Sequence, residues 1–123
     1  MMFRDPAGFI QEKLSKKILS ANTVRDAMMA SFILTLQKRE EGAGASIPDP
    51  ASWRQEKARE MREVASAAFA GIGAPFEYPT LPQMEQVKAE IERKYRWDQL
   101  DAGLREEHER VCRMLFAKFE EPF

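Results

Sequence analysis

Helix start signals recur along this chain and constrain its fold more than any other feature. The pair Asp-Pro, at residues 5–6 and 49–50, places an N-cap before a proline in the first helical turn, where the missing N–H costs no hydrogen bond. Thr80, with Gln83 three residues later, has the pattern of a capping box. Nothing alternates with period two over the length of a strand. These signals predict an all-α protein.

Apolar residues three and four positions apart predict five helices between these signals. The second helix is apolar almost all round at residues 27–36, so it is expected to be the buried axis of the fold or to lie in a subunit interface. The sequence therefore predicts a compact bundle of four to five helices in a single domain over residues 1–123. The expected spans are Pro6 to about Leu19, the N-cap Thr23 to about Glu40, Pro50 to about Ala70, the N-cap Thr80 to about Trp97, and Asp98 or Asp101 to the end of a stripe at Phe119.

An extended, proline-rich strap is predicted before the fourth helix, in GIGAPFEYPTLPQ at residues 71–83. Its three prolines disfavour helix, and it carries Phe76, Tyr78 and Leu81 where a plain linker would be polar. Burial of such a side chain contributes about 1.5–3 kcal/mol, which favours a lid closed over the protein's own core. The alternative is a ridge that docks onto a partner.

Composition points to a globular protein outside the membrane. The chain is 44% apolar and 32% charged with a net charge of −1, which is atypical of a disordered tail. The longest apolar run, residues 27–36, would rise only about 15 Å as a helix, half of a bilayer's hydrocarbon core. The single cysteine precludes an internal disulfide, and the first residues do not have the pattern of a signal peptide. A cytoplasmic location without membrane contact is expected.

His108 and Cys112 are the residues with the most chemical potential. They lie one helical turn apart, so their side chains can touch, but a nucleophile also needs oxyanion donors, and no motif nearby supplies them. Both are therefore expected in the core, and a small-molecule pocket beside them is kept as an alternative. With one histidine and one cysteine, neither a metal nor a cofactor is expected, and catalysis is not favoured. The indoles of Trp53 and Trp97 are expected to be buried with their N–H groups on partners.

Surplus aromatic residues give the leading functional hypothesis. Phe76, Tyr78, Phe116 and Phe123 exceed what an obvious monomer core needs. They predict a small, non-catalytic interaction module, an adaptor or regulator that binds another protein or a second copy of itself.

The alternative is a helical nucleic-acid-binding regulator that uses Lys13, Lys16 and Lys17. It is less favoured, because the basic excess at this end is small and the overall charge is close to zero.

Overall fold

The computed structural model describes residues 5–44, 46–68 and 79–119. Within these ranges the chain is helical, which confirms the all-α prediction. The elements are α1 (Pro6–Leu14), α2 (Ala21–Gly42), α3 (Pro50–Ala68), α4 (Leu81–Lys94), a 3₁₀ turn (Trp97–Gln99) and α5 (Ala102–Ala117). Most of the predicted strap, residues 71–78, lies outside the described residues. In the described ranges, no helix has the length and apolar character that crossing a membrane requires.

Three of the predicted helix starts are confirmed by their hydrogen bonds. The Asp5 carboxylate accepts from the Gly8 N–H at 3.1 Å, and the Asp49 carboxylate accepts from the Ser52 N–H at 3.3 Å. At α4 the Thr80 N–H donates to the Gln83 side chain at 2.8 Å while Thr80 Oγ1 accepts from the Gln83 N–H at 3.3 Å. Each bond satisfies a backbone donor that has no partner inside its helix.

The first helix is shorter than predicted. It ends at Leu14, and the Ser15 hydroxyl donates to the Glu12 carbonyl at 2.6 Å. Leu19 then forms an isolated parallel bridge with Phe119, in which the Leu19 N–H donates to the Lys118 carbonyl at 2.8 Å. Ile18, which lies within the predicted span of the first helix, is outside α1 and 62% exposed.

The second helix starts earlier than predicted. Ser20, rather than Thr23, is the N-cap, because the Ser20 hydroxyl accepts from the Thr23 N–H at 3.3 Å. Thr23 therefore already lies in the first turn of α2.

The prediction that α2 is the buried axis of the fold is confirmed. Eleven of its residues are buried, and it packs against α1, α3 and α5. Two groups of buried side chains meet along it. One joins Phe32 and Ile33 to α3, α4, the 3₁₀ turn and Cys112, and the other joins Val24 and Ala27 to α1, Met84 and Leu115.

Candidate functional site

His108 lies at the centre of a small polar cluster inside the protein. Its side chain is fully buried on the α2 side of α5. Its Nδ1 is 2.8 Å from the Ser31 hydroxyl of α2, and its Nε2 is 3.4 Å from Cys112 Sγ, one turn along α5. The rings of Phe32 and Trp97 lie with their centroids 4.2 Å and 4.9 Å from the imidazole. In either neutral tautomer, both ring nitrogens have a partner.

Burial holds this cluster in its uncharged form. Removal from water lowers the pKa of His108 to about 3 and raises the pKa of the Cys112 thiol to about 12. At neutral pH the pair is therefore an imidazole and a thiol, whereas a nucleophilic cysteine needs to be a thiolate. The prediction that both residues belong to the core agrees with their positions.

An ion-pair cluster borders the buried histidine. Lys88 of α4 donates to the Glu92 carboxylate at 2.6 Å and to the Glu109 carboxylate at 2.8 Å. Burial opposes the charges of Lys88 and Glu109, but their mutual hydrogen bond and attraction outweigh it. As a result the pKa of Lys88 is raised and that of Glu109 is lowered. This cluster is a direct charged link between α4 and α5.

Three side chains of this region are close enough to share a cation. One ligand atom each from Glu92, His108 and Glu109 lies within 4.8 Å of the others. The Lys88 ammonium, however, already bridges the two carboxylates, and the imidazole nitrogens face Ser31 and Cys112. A metal ion would therefore have to displace Lys88 from both acids.

An open cleft of about 840 Å³ lies on the other side of this cluster, between α4, the 3₁₀ turn and α5. Arg105, Glu109 and Arg113 are four residues apart and form one stripe of its α5 wall. Neither His108 nor Cys112 lines it. The lining residues are Glu92, Arg93, Trp97, Asp98, Arg105, Glu106, Glu109, Arg110 and Arg113.

Most charged residues of the cleft lining have an ion-pair partner. Glu92 and Glu109 are occupied by Lys88, while Arg93 pairs with Glu90 and Arg110 with Glu107. Asp98 lies 3.6 Å from the Arg96 guanidinium. No ion-pair partner for Arg105 or Arg113 is found in the described part of the chain, and the same holds for one acid of the lining, Glu106. Two guanidinium groups and one carboxylate of the lining thus have no ion-pair partner in the described ranges.

A tight turn brings Trp97 to the cleft. Arg96 adopts a left-handed conformation, with φ 55° and ψ 54°, which ends α4 and turns the next residue inward. The Arg39 guanidinium holds this turn by donating to the Tyr95 carbonyl at 2.7 Å. Trp97 is 5% exposed, and its indole N–H has no acceptor among the residues described. The expectation of a partner for this N–H was therefore wrong within the described ranges, because the ring packs edge-on against Phe32 and His108.

The predicted partner-binding residues are only partly covered by the structure. Phe76, Tyr78 and Phe123 lie outside the described residues. Phe116 is half-buried and packs against both groups of core side chains, three residues beyond Arg113 on α5. Its place in a docking surface remains a prediction.

Of the three lysines predicted to bind nucleic acid, only Lys13 lies on α1. Lys13 pairs with Glu12 at 3.2 Å, and its ammonium lies 5.3 Å from the centroid of the Phe9 ring. Lys16 and Lys17 are exposed in the turn after α1, where the Lys118 ammonium donates to the Lys16 carbonyl at 2.7 Å. Nucleic-acid binding by these lysines remains a prediction.

The cleft was missed at the sequence level, although part of its signal is visible in the sequence. The four-residue spacing of Arg105, Glu109 and Arg113 places them on one side of a helix. The spacing does not reveal that Glu109 forms an ion pair with Lys88 of α4. Nor does it reveal that both arginines have no ion-pair partner among the described residues.

No family model matches the chain, and comparisons with curated proteins and with solved structures likewise give no match.

Proposed function

We propose that the protein is a small helical interaction module that binds a segment of another protein in the cleft between α4, the 3₁₀ turn and α5. The observation that carries this proposal is the pair Arg105 and Arg113, which lie in an open cleft of about 840 Å³ without ion-pair partners in the described ranges. Charged groups that a fold does not use internally are available to a partner, and arginine is among the residues enriched in protein interfaces.

The neighbouring chemical groups favour binding over reaction. His108 and Cys112 are closed off from the cleft and uncharged at neutral pH. The acids of the cleft wall, Glu92 and Glu109, both form ion pairs with Lys88. A general base or a nucleophile must reach its substrate, which this buried pair cannot do, and the Cys112 thiol also stays protonated at neutral pH.

Phe116 extends this surface toward the end of α5. It follows Glu109 by seven residues and Arg113 by three, so the four side chains Arg105, Glu109, Arg113 and Phe116 lie along one side of the helix. In protein interfaces, charged groups commonly orient the partner while an aromatic ring supplies apolar contact. The cleft and Phe116 together provide both kinds of group. The roles of Phe76, Tyr78 and Phe123 in partner binding are part of the same hypothesis.

Site-specific photo-crosslinking in cells that make the protein tests this proposal. A benzophenone amino acid replaces Glu106 in the cleft in one variant and the exposed Arg62 of α3 in a matched control. We expect a covalent adduct with another protein from position 106 and none from position 62. Equal adducts from both positions, no adduct from position 106, or an adduct only with a second copy of this chain would contradict the proposal.

A further inference from the structure

We propose that Glu92, His108 and Glu109 bind a divalent transition-metal ion of the zinc class. The ion takes the place of the Lys88 ammonium, which otherwise binds both carboxylates. The sequence predicts no metal because the chain has one histidine and one cysteine, and it does not reveal that glutamates of α4 and α5 meet beside that histidine. This site is independent of the proposed function.

The three side chains offer donor atoms that zinc prefers. Zinc sites in proteins combine imidazole nitrogens with carboxylate oxygens, and a site with three protein ligands keeps a fourth position open. One ligand atom each from Glu92, His108 and Glu109 lies within 4.8 Å of the others. Tetrahedral ligands at about 2.1 Å from an ion are about 3.4 Å apart, so an inward movement of about 1 Å by the flexible glutamate side chains completes the site.

The imidazole of His108 is already oriented for a metal. Its Nδ1 lies 2.8 Å from the Ser31 hydroxyl, and when Nδ1 donates there, Nε2 keeps a lone pair. Ligating histidines are commonly held in this way by an oxygen of the protein at the second nitrogen. In the described ranges Nε2 faces only the Cys112 sulfur, at 3.4 Å, and a thiol is a weak hydrogen-bonding partner.

The carboxylates lie on the same side of the imidazole as Cys112. The pKa of the Cys112 thiol is raised first by burial and then by the nearby charges of Glu109 and Glu92. Nε2, which faces this thiol, is therefore the nitrogen nearer to the acids. The lone pair and the two carboxylates can then meet at one ion.

The charge of the cluster favours a divalent ion over an ammonium. Glu92 and Glu109 share the single ammonium of Lys88, so these three side chains together carry one net negative charge. A charge that is partly removed from water is unfavourable unless it is compensated. A divalent ion between the same two carboxylates balances both of them.

An ion can approach these ligands from the cleft. Glu92 and Glu109 line it, whereas His108 lies behind them, fully buried. The Lys88 side chain is 16% exposed, and its flexible four-carbon stem allows the ammonium to turn into solvent, which opens the path to the imidazole. Lys88 is therefore a competitor of the metal, because zinc binding has to break both of its ion pairs.

Calorimetric titration with zinc chloride at neutral pH tests the site. We expect the wild-type chain to bind one Zn²⁺ saturably and to bind Mg²⁺ far more weakly, because magnesium keeps its water and prefers oxygen ligands. Lys88→Met removes the competitor and should lower the Kd for zinc by about tenfold or more, since two charge-assisted hydrogen bonds no longer have to be broken.

Ligand variants then locate the ion. Glu92→Gln and His108→Gln should each raise the Kd for zinc by about tenfold or more, because each removes one of three ligands. Glu107→Gln, which alters an exposed acid of α5 outside the cleft lining, is the matched control and should leave the Kd unchanged. Circular dichroism establishes that each variant is folded. Glu92 is partly exposed, so its variant decides the test if His108→Gln does not fold.

Four results would overturn the inference. They are the absence of saturable zinc binding by the wild-type chain, an unchanged zinc affinity in Lys88→Met, equal effects of Glu92→Gln and Glu107→Gln, and magnesium binding as tight as zinc binding. The last would show that the acids act without the imidazole. Crosslinking from position 106 does not depend on any of these results, so the proposed function is tested separately.

Discussion

The two sides of α5 differ in how their polar residues are paired. On the side that faces α2, His108 is buried and both its ring nitrogens have partners in Ser31 and Cys112. On the side that faces the cleft, Arg105 and Arg113 have no ion-pair partner in the described ranges. Polar groups that lose water must be paired within the fold, whereas groups that keep water can remain available.

Lys88 marks the boundary between these two sides. Its ammonium binds Glu92 and Glu109, which border both the buried histidine and the cleft. Glu109, the acid four residues away from both Arg105 and Arg113, forms its ion pair with Lys88 of α4 instead. The ion pairs that α4 forms with α5 thus influence which charged residues of α5 remain without an ion-pair partner at the cleft. Four comparisons test this division.

The largest contrast is expected between Leu115→Ala and Arg113→Ala. Leu115 is fully buried, so its truncation removes apolar contacts and leaves a cavity, at a cost of roughly 2–5 kcal/mol in unfolding free energy. Arg113 is exposed, and its truncation should change the unfolding free energy by no more than about 0.5 kcal/mol. Urea denaturation measures both. Comparable losses would contradict the division of α5 into a stabilising and an available side.

Lowering the pH should reduce the unfolding free energy, because the buried imidazole of His108 resists protonation. In the folded protein the pKa of His108 is lowered to about 3, first by burial and then by the nearby Lys88, against about 6.5 in the unfolded chain. The unfolded state therefore binds the proton more readily between these values. The contribution of His108 is retained above about pH 6.5 and is lost as the pH falls, at up to about 1.4 kcal/mol per pH unit.

His108→Gln isolates this effect, because glutamine stays uncharged. We expect the unfolding free energy of the variant to fall less steeply than that of the wild type from about pH 6.5 to about pH 4. Glu109 contributes a slope of the same sign, since its pKa is lowered in the folded state, but it does so in both proteins. Urea midpoints across this range measure the difference. Identical slopes would show that His108 is not held neutral by the fold.

Lys88→Met should cost about 1–3 kcal/mol at neutral pH, because Glu92 and Glu109 lose their shared cation. Protonation of the acids relieves their repulsion, so the cost should shrink as the pH falls. Lys88→Arg, which keeps the charge, is the matched control. Thermal denaturation measures the loss, and an unchanged unfolding temperature for Lys88→Met would argue against a stabilising role for this boundary.

The smallest effect is expected at the start of α5, which both sides share. The Asp101 carboxylate accepts from the Gly103 N–H at 3.0 Å and the Leu104 N–H at 3.3 Å. Asp101→Ala should cost about 1 kcal/mol, and Asp101→Asn should retain most of the stability because it keeps a capping oxygen. Urea denaturation resolves the two. Equal losses would indicate that the charge of Asp101, rather than its capping bonds, stabilises α5.

The buried side of α5 was largely predictable from the sequence. The stripe of His108, Val111, Cys112 and Leu115 follows a spacing of three and four residues, and all four are buried. The start signals at Asp5, Asp49 and Thr80 were equally readable, because an N-cap acts on amides within three residues of itself. Local rules suffice where both partners are close in sequence.

The sequence was less informative where a distant partner decides the outcome. The apolar pattern of α1 continues to Ile18, but the chain leaves the helix after Leu14, and Leu19 pairs with Phe119 one hundred residues later. In the same way, the hydroxyl that meets His108 comes from Ser31, 77 residues away. Whether Arg105 and Arg113 are free depends on Lys88, which no pattern within α5 reveals.

The pairing of Leu19 with Phe119 has a mechanical consequence. These two residues bracket α2 to α5, so their contact closes almost the whole helical body into a ring. A pull on residues outside positions 19 and 119 should load this short clasp before it strains the helices inside. Cargo or tethers attached beyond either position would therefore act first on the packing of α1 and on this contact, in which the Leu19 N–H donates to the Lys118 carbonyl and the Lys118 ammonium donates to the Lys16 carbonyl.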